Sequence, residues 1–245
     1  MISRFTNFRF LMIFLTFLII YFLSILSDYF LHLKQYSMRK IGNEIITERK
    51  INEDRIQIKK AKDEGYVRAI FPYLYHKVPE LVNLYIDDLV PVNPQPYKNV
   101  YDCNEGYGLT KYKTDRFGFR NNDTVWNKIN LANKEKILFI GDSYVHGSCV
   151  NYKDIISSNV NEFYNYNVAS SGNDPYTYTV LSKLFIPVVK PDYVFLIFYQ
   201  NDNSPDGEIY LKNLEINDLQ KRYFKYENNE IFLSEEIKKV ISGAE

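Results

Sequence analysis

Apolar and polar residues are distributed in three different ways along this chain of 245 residues, and each marks a different region. From Phe10 to Ser27 the sequence reads FLMIFLTFLIIYFLSILS, without a charge. As a helix that run rises about 27 Å, enough to cross a bilayer core. A buried core helix would show a polar stripe. A cleaved signal peptide would have a shorter apolar region followed by a small-x-small site. The run is therefore expected to be an uncleaved membrane anchor. Arg4 and Arg9 precede it and Lys34, Arg39 and Lys40 follow it, so its basic flanks nearly balance. A long C-terminal domain translocates despite nearby charge, and the expected orientation is N-terminus inside with the domain periplasmic or extracellular.

Residues 34–64 carry charges of both signs, with Ile41, Ile45, Ile46 and Ile56 in helical stripes. This pattern predicts a solvated stalk helix; a short dimerising coil is the alternative, but heptads are not sustained. Residues 65–100 contain FPYLYHKVPE and VPVNPQPY, where positions before proline resist helix, so an irregular wrap is expected. The organisation is thus an anchor (1–33), a stalk (34–64) and a domain (65–245).

The third pattern lies between 135 and 202. Three short apolar runs, Ile137–Ile140, Tyr166–Ala169 and Tyr193–Tyr199, each end in polar or turn-forming residues. Such runs read as strands buried on both faces of a parallel sheet. The stretches 145–163 and 175–189 are long enough for crossover helices, giving a βαβαβ pattern. Beyond it, Tyr223–Tyr226 and Ile231–Leu233 flank Glu227–Glu230 as a hairpin, followed by a short helix over 235–241.

Composition changes this picture little. Thirty basic and thirty acidic residues cancel, which excludes the basic surplus that nucleic-acid binding needs. Hydrophobic residues at 46% and charged residues at 24% suit a packed domain. Two cysteines make neither a disulfide framework nor a cysteine zinc site, and no cofactor or metal is expected. Cys103 and Cys149 either pair in an oxidising compartment or stay as buried thiols.

Parallel sheets gather ligands at the carboxyl ends of their strands, where all three polar clusters fall. Ile140-Gly141-Asp142-Ser143, Asn167-Val168-Ala169-Ser170-Ser171-Gly172 and Phe198-Tyr199-Gln200-Asn201-Asp202 together resemble the three motifs of the SGNH/GDSL hydrolases. Thr114–Asn121 (TDRFGFRN) resembles a stretch that precedes the first strand in membrane-anchored members. The resemblance covers roughly residues 100–205. It implies a three-layer α/β fold with a parallel sheet, flavodoxin-like, on an N-terminal transmembrane helix. It implies hydrolysis or transfer of an O-acyl group, such as one on a cell-envelope glycan, with an acylated carbohydrate or small ester as partner. Ser143 would be the nucleophile, Asp142 its supporting neighbour, and Gly172 and Asn201 the oxyanion donors.

The chemistry fits those types. Acyl transfer needs an activated hydroxyl and donors aimed at the developing oxyanion. Gly172 lets a backbone N–H approach closely, and Asn201 donates without bringing charge. Each residue alone also reads as a cap or turn residue. The family's Asp-x-x-His after the last strand is missing, since the histidines are His32, His76 and His146. The expectation is a shortened member, incomplete at its C-terminus and a poor esterase. His146, three residues after Ser143, is the candidate substitute base, against a packing role. The alternative to an enzyme is a non-catalytic anchored relic or binding module.

Overall fold

A computed structural model describes residues 2–33, 38–72, 91–200, 202 and 216–242. It divides into two compact units, 1–56 and 57–245. The first begins with helix α1 (Ile2–Leu33). Within it Met12–Phe30, 19 residues, is long and apolar enough to cross a membrane, as a signal sequence also is, and none of it is buried. Two of its hydroxyls turn back onto the helix: Thr16 donates to the Met12 carbonyl and Ser24 to that of Tyr21, so neither needs water. Helix α2 (Met38–Asp63) has the mixed charge expected of an exposed helix, and Arg49 pairs with Glu53 one turn on.

The second unit is mixed α/β. Three short strands, β1 (Val67–Arg68), β2 (Asn99–Tyr101) and β3 (Lys111–Lys113), form a small sheet in that order. The main sheet consists of β4 (Lys136–Ile140), β5 (Tyr164–Asn167) and β6 (Tyr193–Leu196), all parallel, in the order β5-β4-β6. The strand alternation sends Leu138 and Ile140 to one face and Ile137 and Phe139 to the other.

The Leu138 face packs on helix α4 (Pro175–Val189), whose Leu181, Leu184 and Phe185 are fully buried. That helix starts as its sequence dictates. Asp174 caps the Thr177 N–H, Pro175 opens the first turn, and Lys190 closes the end in a left-handed conformation. Helix α5 (Ile216–Tyr223), hairpin β7 (Phe224–Glu227) and β8 (Glu230–Leu233), and helix α6 (Glu235–Ser242) complete the same core through Tyr223, Phe224, Ile231, Leu233, Ile237 and Ile241. Asn228 and Asn229 are both left-handed, as a two-residue hairpin turn requires.

The connection from β4 to β5 differs from the expected crossover helix. Helix α3 lasts only Ser143–His146. Gly147 adopts a left-handed cap, and both its N–H and that of Ser148 bond the Ser143 carbonyl. Cys149 is also left-handed and is disulfide-bonded to Cys103, so the chain turns away before a second helical turn. Two 3-10 turns, Tyr152–Asp154 and Ile156–Asn159, carry it to β5. In the 65–100 wrap, residues 73–90 lie outside the described residues, and with them His76.

The TDRFGFRN stretch is a buried knot. Asp115 accepts the N–H groups of Phe117 and Phe119 on one oxygen, and those of the Asn121 amide and Trp126 indole on the other. Burial pushes its carboxyl up to about 7 against those four donors. Gly118 sits at φ +90°, and a Cβ there would meet the Pro94 carbonyl oxygen at 1.9 Å.

Candidate active site

Gly141 leaves β4 where a side chain cannot be accommodated: a Cβ would lie 2.3 Å from a Val145 methyl and 3.1 Å from the Ile197 carbonyl oxygen. Asp142 follows, almost fully buried, with one carboxylate oxygen accepting the Tyr144 N–H at 2.9 Å. Its other oxygen accepts the Ser143 hydroxyl at 3.2 Å. Burial raises the Asp142 carboxyl, the Tyr144 N–H and Ser143 hydroxyl oppose that, and the nearby Asp202 charge adds to the rise. Ser143 is half-buried in a cleft of about 530 Å3 lined by Glu105, Tyr144, Gly147, Ser148, Val150 and Tyr199.

The end of β5 is tied to the same turn. The Gly141 carbonyl accepts both the Ser170 N–H, at 3.4 Å, and the Asn173 amide, at 3.1 Å. Asn167, buried at the strand end, donates to the Val145 carbonyl and the Ser157 hydroxyl and caps the Ala169 N–H. Gly172 is exposed and left-handed, φ 77°, on the loop that Gly141 holds, but it does not line the Ser143 cleft. Ser170 Oγ and Asn173 Oδ1 are buried without a hydrogen-bond partner among the described residues.

The end of β6 arrives through aromatic rings and a carboxylate. Tyr199 packs on Tyr144 with ring centroids 3.9 Å apart. Asp202 accepts the Tyr199 N–H at 2.6 Å and the Tyr178 hydroxyl at 2.9 Å. Asn201, the expected second oxyanion donor, lies outside the described residues. The two strand-end segments flanking β4 therefore meet the Gly141–Tyr144 turn, and Ser143 and Asp142 stand together in it.

His146 is placed as a packing residue. Its Nε2 is 3.1 Å from the Tyr112 hydroxyl, and its ring meets Phe71 and Tyr112 edge-on, at 5.3 and 5.6 Å. Burial, with the Arg120 charge acting in the same sense, pushes it down to about 3, so it is neutral at pH 7. The partner of Ser143 Oγ is Asp142, not His146. The reason is local: the helix is one turn long and turns His146 into the protein.

Sequence reasoning missed the supports of this turn. Arg120 is buried and donates to the Gly147 and Val150 carbonyls while lying over the Tyr112 ring. Among the neighbouring Asp115, Arg116, Asn121, Asn122 and Asp123, nothing in the sequence set Arg120 apart as buried. Nothing in the sequence pattern of the 175–189 helix marks the Tyr178 hydroxyl as the partner of Asp202. Cys103 and Cys149, whose state sequence left open, form a disulfide with Cα atoms 4.7 Å apart. It joins the loop after β2 to the turn after α3. No family model matches the chain, and no curated protein or solved structure matches it significantly, so the functional reading rests on these residues themselves.

Proposed function

We propose that the second unit carries an SGNH-type acyl-transfer site, with Ser143 as nucleophile, and that α1 anchors it in a membrane with this unit outside the cytoplasm. The observation that supports it most is the shared turn: the Gly141 carbonyl ties the β5 loop to the residue pair Asp142–Ser143 at the carboxyl end of a parallel sheet. The Cys103–Cys149 disulfide supports an oxidising compartment. The Tyr144 and Tyr199 rings beside Ser143, packed on each other and both half-exposed, give the cleft an aromatic wall that a sugar ring can pack against, which favours an acylated glycan as substrate.

In this reading Ser143 Oγ attacks the acyl carbonyl carbon, and its proton passes to the Asp142 carboxylate. The motif resemblance assigns the oxyanion to the Gly172 N–H and the Asn201 amide, and for Gly172, which stands off the Ser143 cleft, this role requires its loop to move toward Ser143. The sugar oxygen leaves with a proton, and water or a second hydroxyl takes the acyl group from Ser143. A carboxylate is a weak base for a serine hydroxyl, even with the raised proton affinity of Asp142, so turnover is slow. The specific observation favouring the second reading, a binding module without turnover, is the neutral, sequestered His146.

Hydrolysis of a chromogenic acetyl ester by the detergent-solubilised full chain separates them. We expect slow turnover that Ser143→Ala abolishes, Asp142→Asn lowers at least tenfold, and His146→Gln leaves within about threefold. A wild type no faster than Ser143→Ala leaves the binding module.

A further inference from the structure

We infer that Asp202 is a positioning residue for the Asp142–Ser143 pair, a second buried carboxylate that ties the chain beyond β6 to the pair and acts on it through its charge. The inference rests on the acyl-transfer reading of Ser143 and deepens it. Asp202 joins two elements directly. One of its oxygens accepts the Tyr199 N–H at 2.6 Å, just beyond β6, and the Tyr178 hydroxyl at 2.9 Å, from α4. Its own N–H returns to the Tyr199 carbonyl at 3.0 Å. Two routes lead from there to the pair. The Tyr199 ring packs on that of Tyr144, whose N–H donates to Asp142 at 2.9 Å. The Tyr178 hydroxyl also lies 3.4 Å from the Asn173 carbonyl, and the Asn173 amide donates to the carbonyl of Gly141, the residue before Asp142.

A clamp alone needs no charge, because the amide oxygen of an asparagine accepts the same two donors. Asp202 is instead a carboxylate, 5% exposed, and no basic side chain pairs with it among the described residues. Burying a carboxylate without a cation is costly, and a cost with no structural return marks a site residue. The charge acts on Asp142: burial first, and then Asp202, raise the Asp142 carboxyl, against the Tyr144 N–H and the Ser143 hydroxyl. A carboxylate with greater proton affinity is the better base for a serine hydroxyl. The other groups around the pair do not cancel this. On α4, burial and then Asp202, Asp142 and Asp174 keep the Tyr178 hydroxyl protonated, so it stays a donor. Glu105, on the loop after β2, adds negative charge at Tyr144. The buried Arg120 donates to the Gly147 and Val150 carbonyls, and His146 on α3 is neutral.

The test uses the full chain in detergent and reads Asp142 and Ser143 separately. Carbon-13 carboxyl NMR, with the Asp142 signal assigned by its loss in Asp142→Asn, follows proton uptake at Asp142. Mass spectrometry follows acetylation of Ser143 by a chromogenic acetyl ester over the same pH range. Acylation needs the ionised carboxylate, so it rises with pH as Asp142 loses its proton. Asp202→Asn keeps the size and an acceptor oxygen and removes the charge. Both midpoints should then move to lower pH by at least about half a unit, and acetylation above them should slow about threefold. Tyr223→Phe, which loses buried hydrogen bonds with Val92 and Asn93 in the C-terminal part of the core, should move neither midpoint. An NMR midpoint that moves in Asp202→Asn while wild-type Ser143 stays unlabelled upholds the action of Asp202 on Asp142 and overturns the acyl-transfer reading alone. Midpoints that stay in Asp202→Asn, or move as far in Tyr223→Phe, overturn the inference whether or not Ser143 is labelled. In the wild type alone, an Asp142 midpoint at or below the ordinary aspartate value of about 3.9 would also overturn it.

Discussion

β4 has a parallel strand on either side, and the two flanks differ in a direction opposite to their sequences. The β5 run, Tyr164-Asn165-Tyr166-Asn167, is half polar, yet Tyr166 and Asn167 are buried. The β6 run, Tyr193-Val194-Phe195-Leu196, is wholly apolar and exposed at every position. The difference comes from what covers each strand. Beside β5 lie Trp126, the 3-10 turn of residues 156–159 and the Asn121 side chain, which bonds both the N–H and the carbonyl of Asn167. That network lets an asparagine be buried with its polar atoms satisfied. Apolar character in a strand calls for a cover but does not supply one.

The largest test of the comparison is one substitution on each side. Phe185, fully buried against Phe117, Phe119, Trp126 and Phe224, should lose about 3–5 kcal/mol on truncation to alanine. Phe195→Ala, half-exposed, should cost about 1–2 kcal/mol, measured by denaturant unfolding under monomeric conditions. Equal losses would mean that β6 is as well covered as the core. Next comes the disulfide, which closes a 46-residue separation. Replacing Cys103 and Cys149 together by serine should lower stability by about 2–4 kcal/mol.

Smaller effects probe the turn between the flanks. Gly141→Ala forces Val145 and the Ile197 carbonyl apart and should cost about 1–3 kcal/mol, with the loss of any acyl transfer exceeding the loss of fold. His146 gives a pH signature. Its folded pKa, about 3, lies below the ordinary value of 6.5, so its contribution to stability is complete above pH 6.5 and is lost as pH falls from there toward 3. His146→Phe should remove that loss. At pH 5.5 the difference from wild type should narrow by about 1 kcal/mol relative to pH 7.5, read by melting both proteins at each pH.

Much of this architecture was legible from residue order. The long N-terminal helix, the existence of three parallel strands, the 175–189 helix and the C-terminal hairpin follow from apolar period and turn chemistry, although β5 runs over Tyr164–Asn167 rather than the expected Tyr166–Ala169, and β6 stops at Leu196 rather than Tyr199. The β4–β5 connection was not, because Gly147 and the left-handed Cys149 outweigh a length that would accommodate a helix. Of the site, the neighbouring Asp142 and Ser143 could be read from one motif, whereas the tether of the 170–173 loop to the Gly141 carbonyl could not, and Gly172 stands off the Ser143 cleft. The sequestering of His146 was not legible either, since it depends on Tyr112, Phe71 and Arg120, each distant in sequence. Spacing of three puts two residues on one helical face only if the helix continues, and this one does not.

The central claim is that the Gly141–Tyr144 turn holds a serine able to take an acyl group. Intact-mass and peptide mass spectrometry of the full chain in detergent, incubated with an activated acetyl ester, tests it directly. The account predicts one acetyl group per chain, on Ser143, accumulating slowly because Asp142 is the only base at its hydroxyl among the described residues, and absent from Ser143→Ala. A wild type that stays unmodified, or the same adduct on Ser143→Ala, would contradict it.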